Sequence, residues 1–200
     1  MKSRPAVIVL AAGTGSRFGA DGHKLTQRLG ASSVLGTTLR HAIASHLSVV
    51  VVTTEALADT ARHLVASRDV AIVPEAGASS GSQRLGMGYS IACGVSSRPD
   101  ATGWLVLPGD MPMVQTATIL AVAAALDHHP IAYAQHRGRR GHPVGFGAEL
   151  YSELVQLSGD EGARRLVARY PAHGVEVNDG GVLIDIDTEA DLEKVRVVSS

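Results

Sequence analysis

The feature that most constrains the fold is a series of short apolar runs that alternate with segments of helical periodicity. The runs lie at Ala6–Ala11, 49–53, 70–73 and 104–107. The helical patterns lie at 38–46, 55–67, 83–95 and 116–126. Because the runs are continuously apolar, they are typical of parallel strands buried on both faces. The alternation predicts βαβ units in an α/β protein, with a doubly wound, mostly parallel sheet in a three-layer αβα arrangement.

The order of elements changes after Pro130. Strands predicted at 131–135 and 143–147 flank a polar loop, which indicates a small antiparallel excursion of the sheet. The remaining predictions are helices at 148–157 and 160–170, a last strand at 182–187 and a last helix at 188–198.

Two N-caps are predicted in this half of the chain. Ser158–Gly159–Asp160 precedes one helix, and Thr188 precedes the other, with Asp191 three residues on as in a capping box.

Composition excludes several classes of protein. The 200 residues are 45% hydrophobic with a formal net charge of −1, which predicts a single globular domain with no general affinity for nucleic acid or acidic membranes. The apolar runs are too short to span a bilayer, and the first of them enters a glycine-rich motif rather than a cleavage site. Cys93 is the only cysteine, so a disulfide within the chain is excluded and a reducing cytoplasm is expected.

A glycine-rich loop follows the first predicted strand, where open α/β sheets bind ligands. Gly13, Gly15 and Gly19 are spaced one residue too far apart for a dinucleotide fingerprint, which disfavours an NAD(P) oxidoreductase. No Gly-Lys-Ser/Thr tripeptide of a P-loop is present. The loop instead carries Arg17 and Lys24, two cations that would offset charge developing on a triphosphate.

The segment LAAGTGSRFGADGHK resembles the signature of nucleotidyltransferases with the MobA-like fold, above all the molybdenum-cofactor cytidylyltransferase branch. The resemblance implies a Rossmann-like nucleotidyltransferase fold in which Arg17 and Lys24 grip a nucleoside triphosphate. It implies nucleotide contacts at Leu10, Ala11, Ala12, Gly13, Gly15, Arg17, Lys24, Gly86, Ser90 and Gly109. The last of these belongs to GDMP at 109–112, and Gly86 and Ser90 to a G-M-x-x-S-like segment.

Carboxylates that could hold a metal follow two apolar runs. Asp110 ends a predicted strand beside the triphosphate loop, and Mg²⁺ prefers one or two carboxylates together with phosphate oxygens. Asp185 and Asp187 lie two residues apart in a D-x-D-T-x-x-D-L element, and the resemblance implies that one of them completes a Mg²⁺ site with Asp110. Asp187 is favoured because it lies nearer the predicted strand end. Arg17, Lys24 and Asp110 form the implied catalytic set.

The acceptor side is implied by two further motifs. GHPVGF at 141–146 places His142 either as a phosphate ligand or as a residue that shapes the turn. GDEGAR at 159–164 places Asp160 and Arg164 at the acceptor.

The resemblance implies a Mg²⁺-dependent transfer of CMP from CTP to a phosphorylated acceptor, molybdopterin, with release of pyrophosphate. Residues 1–112 would bind the nucleotide and residues 113–200 the acceptor. CTP is favoured because relatives that use GTP have glycine where this chain has Ala12, whose methyl takes space that guanine needs. The alternatives are GTP, another acceptor (a sugar phosphate, methylerythritol phosphate or phospholactate), or a non-catalytic accessory protein. A molybdoenzyme or a chaperone is the protein partner expected.

Overall fold

Seven strands form the central sheet. The computed structural model describes residues 4–13, 15, 18, 22–75, 86–159 and 162–198. Within that part of the chain the strands are β1 (Ala6–Ala11), β2 (Arg28–Leu29), β3 (Ser32–Ser33), β4 (Ser48–Thr53), β5 (Val70–Ile72), β6 (Gly103–Pro108), β7 (Ile131–His136), β8 (Arg139–Gly147) and β9 (Ala172–Glu176). The sheet order is β5-β4-β1-β6-β8-β7-β9, whereas β2 and β3 form a separate small hairpin.

All neighbours in the central sheet are parallel except β8, which runs antiparallel to both β6 and β7. The predicted mostly parallel α/β fold with an antiparallel excursion is therefore confirmed. The sequence reading missed β9, since this strand lies at the edge of the sheet and its residues are exposed or half-buried rather than continuously apolar.

Helices cover both faces of the sheet. They are α1 (Val34–Ala44), α2 (Glu55–Arg62), α3 (Met87–Ser96), α4 (Thr116–Ala125), α5 (Tyr151–Leu154), α6 (Arg164–Arg169) and α7 (Glu189–Val198). Alternate residues of β1 enter two separate apolar clusters: Val7 and Val9 pack with side chains of α1, α2, α4 and α7, and Ile8 packs with side chains of α3, α5 and α6. The sheet and the helices on its two faces therefore form the three layers. No helix among the described residues is long and apolar enough to cross a bilayer.

The predicted strand at 182–187 is wrong. Gly180–Leu183 forms a 3-10 turn, and the residues after it carry no regular structure. The buried Asp179 carboxylate accepts a hydrogen bond from the Gly181 N–H at 3.0 Å and turns the chain there. The segment still reaches the sheet edge, because the Ile186 N–H donates to the Asp110 carbonyl at 3.0 Å.

One of the two predicted N-caps is wrong and the other is confirmed. α6 starts at Arg164 after Ala163, because Gly159 and Gly162 adopt positive φ values of 68° and 54° that interrupt a helix. Asp160 lies outside the described residues. At α7 the Asp191 carboxylate accepts from the Thr188 N–H at 3.1 Å, as the capping box predicts.

We expect Asp179→Ala to lower the free energy of unfolding by about 2–4 kcal/mol. The buried carboxylate also accepts hydrogen bonds from the Gln115 N–H at 2.9 Å and the Thr118 hydroxyl at 2.6 Å, and the substitution leaves those donors unpaired. Urea denaturation measures the loss. The control is Asp59→Ala, whose side chain is 88% exposed and whose loss should stay within about 0.5 kcal/mol. Equal losses in the two variants would contradict the role given to Asp179.

Candidate functional site

A cleft of about 760 Å³ opens at the edge of the sheet where β1 and β6 end. Ten of the residues predicted at the site line it: Leu10, Ala12, Gly13, Lys24, Gly86, Ser90, Asp110, His142, Asp185 and Asp187. The volume lies in the upper half of the range of roughly 300–1,000 Å³ that is typical of small-molecule sites. The structure therefore brings most of the predicted residues to one cavity, although they come from six separate parts of the chain.

A charge cluster lies on the cleft wall. The Lys24 Nζ donates to Asp110 Oδ2 at 2.6 Å and to Asp187 Oδ1 at 2.9 Å. Burial alone would lower the pKa of Lys24, but the hydrogen bonds and charges of Asp110 and Asp187 together raise it above its ordinary value. The ammonium group therefore stays charged throughout the neutral range.

The buried Oδ1 of Asp110 has no hydrogen-bond partner among the described residues. The lone pairs of this atom are available to a ligand, whereas Oδ2 is occupied by Lys24. The backbone bond between Asp110 and Ile186 holds the Asp185–Asp187 segment against the same point.

His23 holds the glycine-rich loop in place. Its Nδ1 accepts from the Leu25 N–H at 3.2 Å, and its Nε2 lies 2.8 Å from the Gly13 carbonyl oxygen. Both contacts are satisfied by the tautomer that carries its proton on Nε2. Gly15 adopts a φ of 59°, and an added Cβ would lie 3.1 Å from the His23 ring, so the missing side chain leaves room for that ring. The two contacts of His23 hold the residue before Lys24 and so place the ammonium group.

Two chain segments from different parts of the sequence line the cleft. Ala12 and Gly13 follow β1, and Gly86 and Ser90 lie at the start of α3. Gly88 does not line the cleft, and an added Cβ there would lie 2.7 Å from the Ser158 carbonyl oxygen. Its small size serves close packing of α3.

His142 lies at the other end of the cleft, near the start of β8. Burial lowers the pKa of His142, and a backbone hydrogen bond at Val106 and the charges of Asp110 and Asp185 oppose that effect only in part. Its buried Nδ1 has no partner within the described part of the chain. The ring is therefore neutral near pH 7 and offers one unused nitrogen.

Four predicted residues are described but do not line the cleft. The Ala11 side chain is buried in the core, Gly15 packs on His23, and Arg164 begins α6 away from the cavity. Gly109 shapes the turn before Asp110: its N–H donates to the Leu10 carbonyl, and an added Cβ would lie 2.9 Å from that oxygen. Arg17, like Asp160, lies outside the described residues.

The sequence analysis missed two arginines that line the cleft and a histidine that contacts a cleft residue. Arg139 and Arg140 fell within the polar loop between two predicted strands, and His23 was not singled out. The arginines carried a usable signal, since an antiparallel strand that follows a parallel one begins at the ligand-binding edge. His23 carried no such signal, because its two contacts form only in the folded loop.

Comparisons with known proteins give matches in sequence and in fold. The sequence profile of the MobA-like NTP transferase domain matches residues 7–175. The bifunctional protein GlmU of Mycolicibacterium vanbaalenii is 33% identical over 157 residues, which are 74% of this chain but 30% of GlmU. The chain thus spans less than a third of that curated relative.

Solved structures match over nearly the whole chain. Rv0371c from Mycobacterium tuberculosis H37Rv superposes with a TM-score of 0.82 and 26% identity, over 98% of this chain and 99% of that one. A complex of Rv0371c with manganese superposes with a TM-score of 0.80 and 25% identity, over 98% of this chain and 100% of the other.

We expect the stability of the protein to fall as the pH drops below about 6.5, the ordinary pKa of histidine, partly because of His142. Its lowered pKa in the folded state means that the unfolded chain takes up this proton first. The contribution of His142 to stability is therefore fully present above about pH 6.5 and is lost as the pH falls below it. Chemical denaturation between pH 7.5 and 5.5 should show a flatter profile for His142→Gln than for wild type. The control, exposed His63→Gln, should parallel wild type; a His142→Gln profile that does the same would refute the assignment.

Proposed function

The chain belongs to the MobA-like NTP transferase domain family, and on that premise we propose that it transfers CMP from CTP to a phosphorylated acceptor, with molybdopterin as the acceptor. Membership of this family makes the chain a nucleotidyltransferase domain. The observation that supports the activity best is the cluster of Lys24, Asp110 and Asp187 beside the glycine-rich loop. A cation and two carboxylates at one point suit a polyphosphate with its divalent metal.

The carboxylates fit a magnesium ion. Asp110 Oδ1 is buried and has no hydrogen-bond partner in the described part of the chain, and the carboxylates of Asp185 and Asp187 line the same cleft. The described residues hold no cluster of three or more His, Cys, Asp or Glu suited to a metal. Mg²⁺ needs only one or two carboxylates when phosphate oxygens and water complete its shell. We assign Asp110 and Asp187 as its ligands, since Lys24 joins these two, with Asp185 as the alternative; the ion would neutralise phosphate charge.

The chain's own residues then position the substrates. Lys24 would bind the triphosphate, and Arg17 is proposed to join it. A phosphate oxygen of the acceptor attacks the α-phosphorus, an O–P bond forms there, and the bond from the α-phosphorus to the bridging oxygen of pyrophosphate breaks. A phosphomonoester is already anionic at neutral pH, so no protein base is needed. Catalysis is positioning and charge stabilisation.

The preference for CTP rests on Ala12. This residue lines the cleft, where its methyl would reduce the space for a purine. We place nucleotide binding in residues 1–112 and acceptor binding in 113–200, with His142 and Asp160 proposed at the acceptor; Arg164 does not line the cleft and is left out of this set. A cytoplasmic location and transfer of the product to a molybdoenzyme or its chaperone complete the proposal.

Titration calorimetry with CTP, GTP, ATP and UTP in the presence of Mg²⁺ tests the nucleotide. We expect wild type to prefer CTP and Ala12→Gly to gain affinity for GTP relative to CTP, since the substitution removes the methyl. Pyrophosphate release with molybdopterin present then separates an enzyme from a binding protein.

Each contrary result removes one part of the proposal. A wild type that prefers GTP would overturn the argument from Ala12. Turnover with a sugar phosphate, methylerythritol phosphate or phospholactate, but not with molybdopterin, would replace the acceptor. CTP binding without pyrophosphate release from any of them would favour the accessory protein.

We expect Lys24→Met to have two opposite effects. The variant should bind CTP about tenfold to a hundredfold more weakly, because it loses a charge-assisted hydrogen bond to phosphate. Without nucleotide it should bind Mn²⁺ more tightly than wild type, because the ammonium group no longer competes for Asp110 and Asp187. Electron paramagnetic resonance of free Mn²⁺ measures the second effect.

Two variants control this experiment. Lys194→Met removes a lysine that is 77% exposed and should change neither affinity. Asp110→Asn should abolish Mn²⁺ binding in either background. If Lys24→Met bound Mn²⁺ no better than wild type, competition between the ammonium group and the metal would be refuted. If Asp110→Asn bound Mn²⁺ as wild type does, the assignment of Asp110 as a metal ligand would be refuted.

A further inference from the structure

We propose that Arg139 and Arg140 form the subsite that binds the phosphate group of the acceptor. The ligand class is a phosphomonoester dianion. This inference rests on the proposed function, since it assigns the acceptor end of the same cleft. Both residues line that cleft.

The direction of β8 places the two arginines at the sheet edge where Asp110 lies. β8 runs antiparallel to β6, with Val144 opposite Val106, so the first residues of β8 lie beside the end of β6 that leads into Asp110. β1 and its glycine-rich loop lie on the other side of β6. A nucleotide on the loop side of Asp110 and an acceptor on the β8 side would meet at the carboxylates.

The two guanidinium groups are available to an anion. Within the described part of the chain, neither Arg139 nor Arg140 makes a hydrogen bond or an ion pair through its side chain. Lys24, by contrast, already contacts two carboxylates. Arg164, which the sequence predicted at the acceptor, does not line the cavity. Arg139 and Arg140 are thus the cations among the described cleft residues that have no carboxylate in contact.

Arg140 is also held in position. Its Cζ lies 3.9 Å from the ring centroid of Tyr133, so the planar guanidinium packs against the aromatic face. Packing of this kind leaves the N–H groups at the edge of the guanidinium free and fixes their direction, which lowers the entropy cost of binding phosphate.

The turn of the β7–β8 hairpin, which carries the arginines, is stabilised by Glu176. The Glu176 carboxylate accepts from Gln135 Nε2 at 2.9 Å and from the backbone N–H groups of Arg137 and Gly138 at 2.5 and 3.4 Å. Those hydrogen bonds, first that from Gln135, lower the pKa of Glu176. The carboxylate therefore serves the turn and is not in contact with Arg139 or Arg140.

A break in strand register lies beside the two arginines. The pairing of β7 with β8 shifts between the pairs Gln135–Arg140 and Tyr133–Val144, so both arginines pair with β7 in a different register from the rest of β8. Irregularities of this kind bend a strand and are common next to binding sites. The placement of the two arginines at the cleft is therefore a property of the folded hairpin.

The test uses sn-glycerol 3-phosphate as a probe, titrated into the full chain by calorimetry and ³¹P NMR. We expect the double variant Arg139→Gln/Arg140→Gln to weaken its binding by at least about tenfold, from the loss of charge-assisted hydrogen bonds. The matched control is Arg137→Gln, which removes the same charge from the same hairpin at a residue that does not line the cleft; its affinity should stay within about twofold. Tyr133→Leu keeps every charge and should still weaken binding.

The nucleotide serves as the second readout. CTP with Mg²⁺ should bind the double variant as it binds wild type. Three results would each overturn the subsite. The first is an equal loss of glycerol 3-phosphate binding in the double variant and in Arg137→Gln. The others are a wild type that does not bind the probe and a double variant that binds CTP more weakly. Failure of wild type to bind CTP, with probe binding still lost in the double variant alone, would refute the proposed function and leave the phosphate site standing.

Discussion

The contact of the Lys24 ammonium group with Asp110 and Asp187 is the interaction on which the site depends. It joins the glycine-rich loop, the end of β6 and the segment before α7, which are far apart in sequence. The side chains of Lys24 and Asp110 are 14% and 16% exposed, so water screens the charges less than it would at the surface. Without the lysine, two carboxylates would repel each other there; without the carboxylates, a partly buried cation would lack a counter-ion.

The sheet makes this meeting possible. Parallel strands bring their carboxyl ends to one edge, which places the β1 loop beside Asp110. β8 is reversed, so it brings its beginning, with Arg139 and Arg140, to the same edge. One antiparallel strand in a parallel sheet thereby puts cations on both sides of a carboxylate centre. The proposed transfer between two phosphorylated substrates would use such a distribution of charge.

The glycines show what local sequence can and cannot predict about the site. The resemblance implies nucleotide contacts at both Gly13 and Gly15, yet Gly13 lines the cleft whereas Gly15 makes room for His23. Gly88 serves helix packing. Sequence shows that a side chain is absent at these positions, but only the folded neighbours show which group needs the space.

By itself, the sequence determined the layered α/β fold, the strand ends that meet at the cleft and the capping box at Thr188, because these depend on short-range periodicity and local hydrogen bonds. Tertiary structure decided the rest. The 182–187 segment looked like a strand, but long-range contacts of Asp179 and Asp110 shape it otherwise. Arg164 does not line the cleft and Arg140 does, since the residues that reach a cleft follow from strand direction and register across the sheet. Those are properties of pairing between distant segments, which local sequence does not encode.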